Sequence, residues 1–155
     1  MSAIEVDLRL RSPHWSRVTA SADTVNDGNG LWVRADHDCS DPTDPEVLAS
    51  HPGRLAAIQI DGDEVILAQD RLRSRPLFWS LEDGVGGAQR LVISDDTTLM
   101  REAVSTPRLD ARARREFLDA GFVTGSDTLL AGIHQTEQGT VVRIDRATGR
   151  VRTIK

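Results

Sequence analysis

Two adjacent apolar runs joined by a short acidic turn constrain the fold of this chain more than any other feature. The runs cover residues 54–60 and 64–69, and the turn between them is Asp61-Gly62-Asp63. Glycine at such a position is a strong hairpin signal, because a tight turn needs backbone conformations that glycine adopts easily. A basic loop then leads to another short apolar segment at residues 76–80. The sequence therefore predicts a strand-rich centre built on a hairpin.

Other strands are predicted along the rest of the chain. Residues 4–10 alternate apolar and charged side chains, which is the period of a half-buried strand. Further strands are expected at residues 15–21, 31–34, 90–94, 140–144 and 150–154. No internal repeat or linker interrupts the pattern, so residues 1–155 are expected to form a single domain.

Three helices are predicted from capping residues and apolar spacing. The first covers residues 45–51 and the third residues 111–120. The second begins after a cap at residue 94 or 95 and ends at about residue 104. The first has Thr43 or Asp44 as its N-cap, the second Ser94 or Asp95, and the third Asp110.

The third predicted helix also carries a stop signal and an apolar face. Gly121 follows it directly, and Ala113, Phe117 and Ala120 repeat at helical spacing. Strands lie on both sides of the two longer helices along the chain. This arrangement predicts a layered domain of the α+β class.

Composition and charge argue against several functional classes. The net charge of −5 disfavours nucleic-acid binding. No apolar run reaches bilayer length and no secretory leader opens the chain, so we expect a cytoplasmic protein without membrane contact. Cys39 is the only cysteine, which rules out an intrachain disulfide. Since His37, Cys39 and His51 are too few and too loosely spaced for a structural zinc site, no metal or cofactor is expected.

An ordered set of motifs runs from about residue 43 to residue 144. Asp70-Arg71 is followed by Arg75-Pro76-Leu77-Phe78, and Ser94-Asp95 is followed by Leu99. The later members of the set are Gly121, Thr128, Ile133 and Gly139. In order and spacing, the set resembles the N-terminal, glutaminase-type domain of asparagine synthetase and the other class II glutamine amidotransferases. The resemblance implies the fold of the N-terminal nucleophile (Ntn) hydrolases, a four-layer αββα sandwich, here with a reduced N-terminal part.

The resemblance also implies a nucleophile at the start of the chain. The family uses a cysteine that is exposed when the initiator Met is removed, and the free α-amine of that cysteine serves as the base. This chain has Ser2 at that position, and Ala3 where the family has glycine. Ser2 would be the catalytic residue only after removal of Met1.

Most of the family's glutamine-binding residues are missing. The sequence lacks the Arg-Gly-Pro stretch, whose Arg holds the glutamine carboxylate, and the Asn-Gly-Glu stretch, which forms the oxyanion hole. Asp44-Pro45-Glu46 matches the family's substrate-binding Asp-x-Glu motif, in which Asp44 would bind the glutamine α-amine. The alternative for Asp44 is a helix cap. We therefore predict that glutaminase activity is lost.

Arg71, Arg73 and Arg75 form a basic cluster after the central hairpin. The family commonly has Gly at the position of Arg73. One interpretation is a solvated edge whose arginines pair with the many carboxylates. The other is a docking patch for an acidic partner or a phosphate.

Three functions remain for such a chain. The first is a non-catalytic module that docks on a separate asparagine synthetase-like partner, which forms an amide or a lactam with ATP, as in natural-product biosynthesis. The second is an amidohydrolase that uses Ser2. The third is a relic that binds a small molecule in the former glutamine pocket. An exposed edge at the N-terminal strand or the C-terminal hairpin would also allow pairing with a second copy of the chain.

Overall fold

The structure, a computed structural model, describes residues 5–9, 17–19, 25–26, 31–37, 39–83 and 89–155. Within these residues the chain forms two antiparallel sheets and three short helices, which confirms the predicted α+β class. The helices are α1 (Pro45–Ser50), α2 (Thr97–Ala103) and α3 (Ala111–Ala120). Both sheets combine strands from distant parts of the chain.

The first sheet joins the start of the chain to its middle. In spatial order its strands are β2 (Arg17–Thr19), β1 (Glu5–Arg9), β8 (Gln89–Ser94), β7 (Phe78–Asp83) and β9 (His134–Gln135). The strands predicted at residues 4–10 and 90–94 are confirmed with slightly different ends. The sequence pattern does not predict β9, because two residues are too short to show a period and only the pairing of β9 with β7 defines it.

The second sheet is built on the central hairpin. In spatial order its strands are β11 (Val151–Ile154), β10 (Val141–Asp145), β6 (Glu64–Gln69), β5 (Leu55–Asp61), β4 (Leu31–Ala35) and β3 (Val25–Asn26). Asp61 lies opposite Glu64, so Gly62 and Asp63 form a two-residue turn, and Gly62 has a φ of +51°. The hairpin predicted from the sequence is confirmed, as is the C-terminal hairpin of β10 and β11.

The main core lies between the two sheets. In β5 to β8 and in β10, side chains alternate between the two faces of the strand, so every second residue points inwards. Trp79 and Ile93 of the first sheet pack in one cluster with Ile58, Leu67 and Ile144 of the second. All five side chains are at most 8% exposed. This cluster joins residues up to 86 positions apart and holds the sheets face to face.

Each outer face of the sandwich has a separate apolar cluster. On the second sheet, Leu48 of α1 packs with Ile66 and Ala57. On the first sheet, Met100 of α2 packs with Val92. Each sheet therefore has one short helix packed against its outer face.

The caps of the helices explain where each one begins. Asp44 caps α1 and Asp110 caps α3, as the sequence predicts. The prediction that Ser94 or Asp95 caps the second helix is wrong, because the cap is Asp96, whose side chain accepts from Thr98 N at 2.7 Å. Ser94 still belongs to β8 and supports the cap, since its hydroxyl accepts from Asp96 N at 3.1 Å.

Helix α3 packs on the body of the protein more loosely than its sequence suggests. It ends at Gly121, which has a φ of +81° and confirms the predicted stop signal. Of the predicted apolar face, only Ala113 is buried, while Phe117 is 44% exposed and Ala120 is exposed. The apolar spacing therefore identifies the helix correctly but does not place its face in the core.

Candidate functional site

Three residues are predicted to attack or bind a substrate amide, and the structure describes two of them. Ser2 lies outside the described residues. Asp44 accepts a hydrogen bond from Glu46 N at 2.8 Å and acts as the N-cap of α1, while Glu46 is exposed in the first turn. The Asp-x-Glu motif is thus engaged in starting a helix.

The three arginines of the predicted docking cluster point to different places. Arg71 Nη1 donates to the carbonyl oxygen of Ala49 at 3.1 Å, near the end of α1. Arg75 Nη2 lies 3.3 Å from Asp36 Oδ1 in an ion pair. Arg73 lines an apolar groove beside α2 and α3. The arginines therefore do not form one patch, and only Arg73 reaches the groove.

The ion pair at Asp36 shows what Arg75 does instead. Arg54 Nε donates to Asp36 Oδ2 at 2.7 Å, and Arg75 binds the other oxygen. These hydrogen bonds, with that from Arg54 the stronger cause, lower the pKa of Asp36 to about 2, because they favour the ionised carboxylate. Arg75 is thus part of a local ion-pair network.

Arg73 has an unusual backbone conformation. Its φ is +50°, the one positive φ of a non-glycine residue in the part of the chain that the structure describes. The buried Asp70 holds this turn, since its Oδ1 accepts from Leu72 N at 2.8 Å and from Ser74 N at 3.2 Å. The Asp70 carbonyl oxygen also accepts from Arg73 N at 3.1 Å. These bonds offset the steric cost of a left-handed residue with a side chain.

The groove beside Arg73 is the best candidate for a functional site. It lies between α2, α3 and residues 122–135, on the outside of the first sheet, and has a volume of about 600 Å³. Most of its lining is apolar, including Phe78, Met100, Leu109, Phe117, Phe122 and Ile133. Arg73, Asp127 and Gln135 are among the few polar residues in its wall. Binding pockets commonly combine an apolar lining with a few polar groups in this size range.

Hydrogen bonds within residues 122–135 hold one wall of the groove in place. The Thr128 hydroxyl donates to the Ile133 carbonyl oxygen at 2.8 Å. The Gln135 side-chain amide donates to the carbonyl oxygens of Gly125 at 3.0 Å and Asp127 at 3.1 Å. These contacts define a loop whose only strand is the two-residue β9, so the sequence pattern does not reveal the groove.

Four large apolar side chains around α3 are exposed to solvent. The exposed fractions are 63% for Leu109, 44% for Phe117, 71% for Leu118 and 59% for Phe122. We call these four residues the α3 apolar surface. Three of them, all except Leu118, also line the groove. In the sequence, this surface is indicated only by several apolar residues near Gly121. The same pattern is expected for a helix end that is buried, so it does not predict exposure.

Basic side chains accompany the α3 apolar surface. Arg108, Arg114 and Arg115 are exposed, and none of them forms an ion pair with a residue that the structure describes. Glu116 is engaged by Thr124, whose hydrogen bonds are the main cause of its lowered pKa, with a smaller contribution from Arg112. Glu116 therefore stays ionised and bound to Thr124, while Arg108, Arg114 and Arg115 have no ion pair within the described residues.

A smaller polar feature lies at the edge of the first sheet. The His134 ring stacks on Trp79 with 4.5 Å between ring centroids, and His134 Nδ1 lies 3.8 Å from Asp127 Oδ1. Burial lowers the pKa of His134, although Asp127 opposes that shift. A cavity of about 170 Å³ adjoins both rings.

His37, Cys39 and His51, which the sequence raises as candidate metal ligands, are not arranged around a common point. The rings of His37 and His51 are 6.4 Å apart between centroids. Cys39 packs against the apolar cluster under α1, and burial raises the pKa of its thiol, which disfavours the reactive thiolate. No group of three or more potential ligands is positioned for a metal within the described part of the chain.

Comparison with protein-family models and with curated proteins finds no match for this chain. None of the helices in the described residues is long and apolar enough to cross a membrane.

Proposed function

We propose that this chain is a non-catalytic module, similar to class II glutamine amidotransferase domains, that docks on a separate asparagine synthetase-like partner. The partner would form an amide or a lactam with ATP. The observation that carries the docking is the α3 apolar surface, with four large side chains that are 44–71% exposed. Three of the four also line one groove, and exposed apolar groups gathered in this way mark interaction surfaces, because binding a partner removes them from water.

The fold supports the family part of the proposal. Two antiparallel sheets with helical structure on each outer face have the layer order that the resemblance implies. Arg73 has a φ of +50° where the family commonly has Gly, the residue that adopts this conformation most easily. Gly139, in the position of the family's Pro-Gly turn, has a φ of +62°.

The absence of the family's substrate-binding and oxyanion-hole motifs supports a non-catalytic role. The sequence has neither the Arg-Gly-Pro nor the Asn-Gly-Glu stretch, so the carboxylate clamp and the oxyanion donors have no counterpart. Asp44 already accepts a backbone hydrogen bond as a helix cap. A substrate amide would therefore lack most of the groups that orient and polarise it.

Of the three arginines in the cluster, we propose a docking role for Arg73 alone. Arg71 binds the end of α1 and Arg75 binds Asp36, so both stabilise the module itself. Arg73 lies in the groove wall, next to the α3 apolar surface. We propose that Arg73 contacts the partner and that Arg71 and Arg75 support the turn from which it projects.

Affinity purification from the native cell tests the proposal. With the tag on the C-terminus, the wild-type chain should recover a synthetase-type protein in stoichiometric amount. Leu118→Asp should reduce recovery at least about tenfold, because it places a charge in the interface. Ile154→Asp is the matched control, since Ile154 is also exposed, at 39%, but lies on β11 in the other sheet. Equal recovery with both variants would contradict docking through α3.

The same preparation separates this function from the amidohydrolase alternative. Intact mass shows whether Met1 is retained, and a retained Met1 blocks the α-amine that would act as base. Release of ammonia from glutamine that is abolished by Ser2→Ala would replace the docking proposal with an enzymatic one.

A further inference from the structure

We propose that the groove and the α3 apolar surface bind an acidic protein segment that carries apolar anchor side chains. This inference rests on the proposed docking function and names the chemistry of the docked segment. Its two parts, the apolar anchors and the acidic character, come from different observations.

The apolar anchors follow from the shape and lining of the groove. Its volume of about 600 Å³ offers room for large side chains, and Phe78, Met100 and Ile133 form its base. Phe117 and Phe122 line it while remaining 44% and 59% exposed. Apolar side chains inserted between these aromatic rings would leave water, and such central contacts provide most of the free energy of binding at an interface.

The acidic character follows from the balance of available charges. Residues 108–122 contain four arginines and three acids, in a chain whose net charge is −5. Two of those acids accept backbone hydrogen bonds, Asp110 from Ala113 N at 2.8 Å and Glu116 from Thr124 N at 3.1 Å. The arginines Arg108, Arg114 and Arg115 have no ion pair with any described residue. The four arginines and three acids give residues 108–122 a net charge of +1, in contrast to the chain as a whole.

The arginines are placed to act beside the anchors. Arg73 lies in the groove wall. Arg114 precedes Leu118 by four residues, so both lie on one face of α3. Asp127 also lines the groove, but its carboxylate faces His134 Nδ1 at 3.8 Å. Guanidinium groups bind carboxylates through paired hydrogen bonds, which favours Glu or Asp beside the apolar anchors of the partner.

Two labelled peptides test the acidic character directly. Both peptides are about 14 residues long, the length of a short amphipathic segment, and have the same pattern of Leu and Phe. They differ at the intervening positions, which are Glu in one peptide and Lys in the other. Fluorescence anisotropy with the full chain measures binding of each. At about 50 mM salt we expect the Glu peptide to bind roughly tenfold more tightly, and we expect added salt to reduce the difference.

Charge variants locate the effect. Arg73→Gly and Arg114→Glu should each weaken binding of the Glu peptide by about threefold to tenfold. Arg73→Gly is informative because glycine adopts the positive φ readily, so weaker binding cannot be attributed to a strained turn. Arg150→Glu is the matched control, since Arg150 is exposed in the turn between β10 and β11, and it should leave binding unchanged.

The outcomes distinguish this inference from the function on which it rests. Equal binding of the Glu and Lys peptides, or an equal loss in Arg150→Glu, would overturn the acidic segment. The acidic segment would also be overturned if the chain bound anionic phospholipid vesicles and neither peptide. If a synthetase-type protein still co-purifies through the α3 apolar surface in those cases, the docking function stands without the acidic preference. Loss of co-purification would remove the docking function itself.

Discussion

The two outer faces of the sandwich are covered in different ways. On the second sheet, Leu48 of α1 is fully buried in an apolar cluster. On the first sheet, α2 buries Met100, but α3 beyond it buries only Ala113 and leaves Phe117 and Leu118 exposed. The α1 face is thus closed by a buried apolar contact, whereas the α3 face leaves apolar surface exposed to solvent.

The largest expected contrast comes from truncating one leucine on each face. Leu48→Ala should lower the free energy of unfolding by about 2–5 kcal/mol, because it leaves a cavity in a closed cluster. Leu118→Ala should change it by at most about 0.5 kcal/mol, because the side chain is already 71% exposed. Urea denaturation of both variants measures the two values. Similar losses would show that α3 is packed as firmly as α1.

Removing Asp70 should disturb the turn that carries Arg73. Asp70→Ala leaves the amides of Leu55, Leu72 and Ser74 without their carboxylate acceptor. We expect a loss of about 2–3 kcal/mol in the free energy of unfolding, because a buried donor without a partner retains its desolvation cost. Asp44→Ala, which removes an acceptor from an exposed amide, is the control and should cost about 1 kcal/mol or less. A smaller loss in Asp70→Ala than in Asp44→Ala would contradict this assignment.

The cap of α3 tests how independent that helix is of the rest of the molecule. Asp110→Ala removes the acceptor for Ala113 N and should cost about 1 kcal/mol. Amide hydrogen exchange should accelerate in Ala111–Ala120 while the strands β5 and β6 stay protected. Uniform acceleration throughout both sheets would mean that α3 unfolds only with the whole domain.

Replacing Arg73 separates stability from binding at one position. Arg73→Gly removes the cost of a left-handed non-glycine residue, offset in part by the greater freedom of glycine in the unfolded chain. We expect the free energy of unfolding to rise by about 0.5 kcal/mol in thermal or urea denaturation, with weaker peptide binding. A loss of more than about 1 kcal/mol would show that packing of the Arg73 side chain matters more than its backbone.

The smallest expected effect is a pH dependence at Asp36. Its pKa is lowered from 3.8 to about 2 in the folded chain, so the stabilisation is present above the unfolded value and disappears as the pH falls from about 4 towards 2. Asp36→Asn should therefore flatten the stability profile over that range. Urea midpoints at pH 5 and pH 2.5 measure the difference. An unchanged slope would show that the ion pairs with Arg54 and Arg75 are not maintained in solution.

Local patterns in the sequence identified much of the secondary structure. The turn at Gly62, the cap at Asp110 and the stop at Gly121 were all predictable, because each depends on a residue type acting on its own backbone neighbours. The cap of α2 was misplaced by at least one residue, since three consecutive polar residues, Ser94 to Asp96, each have capping chemistry. Only the end of β8 decides among them.

The groove could not be predicted in the same way. Its lining joins Phe78 of β7, Met100 of α2 and Phe122 after α3, and no local period links these positions. The arginine cluster shows the same limitation. Arg71, Arg73 and Arg75 are neighbours in sequence, yet their partners or surroundings are α1, the groove and Asp36 respectively.

The sequence by itself therefore determined most of the longer strands, the turn at Gly62, the stop at Gly121 and two of the three helix caps. These features depend on side-chain alternation and on hydrogen bonds between residues a few positions apart. Only the tertiary structure decided that Leu48 is buried while Leu118 is exposed, and that Arg73 alone of its cluster reaches the groove. The reason is that burial and ion pairing depend on residues brought together from distant parts of the chain, and apolar or basic side chains look alike in sequence whichever neighbours they acquire.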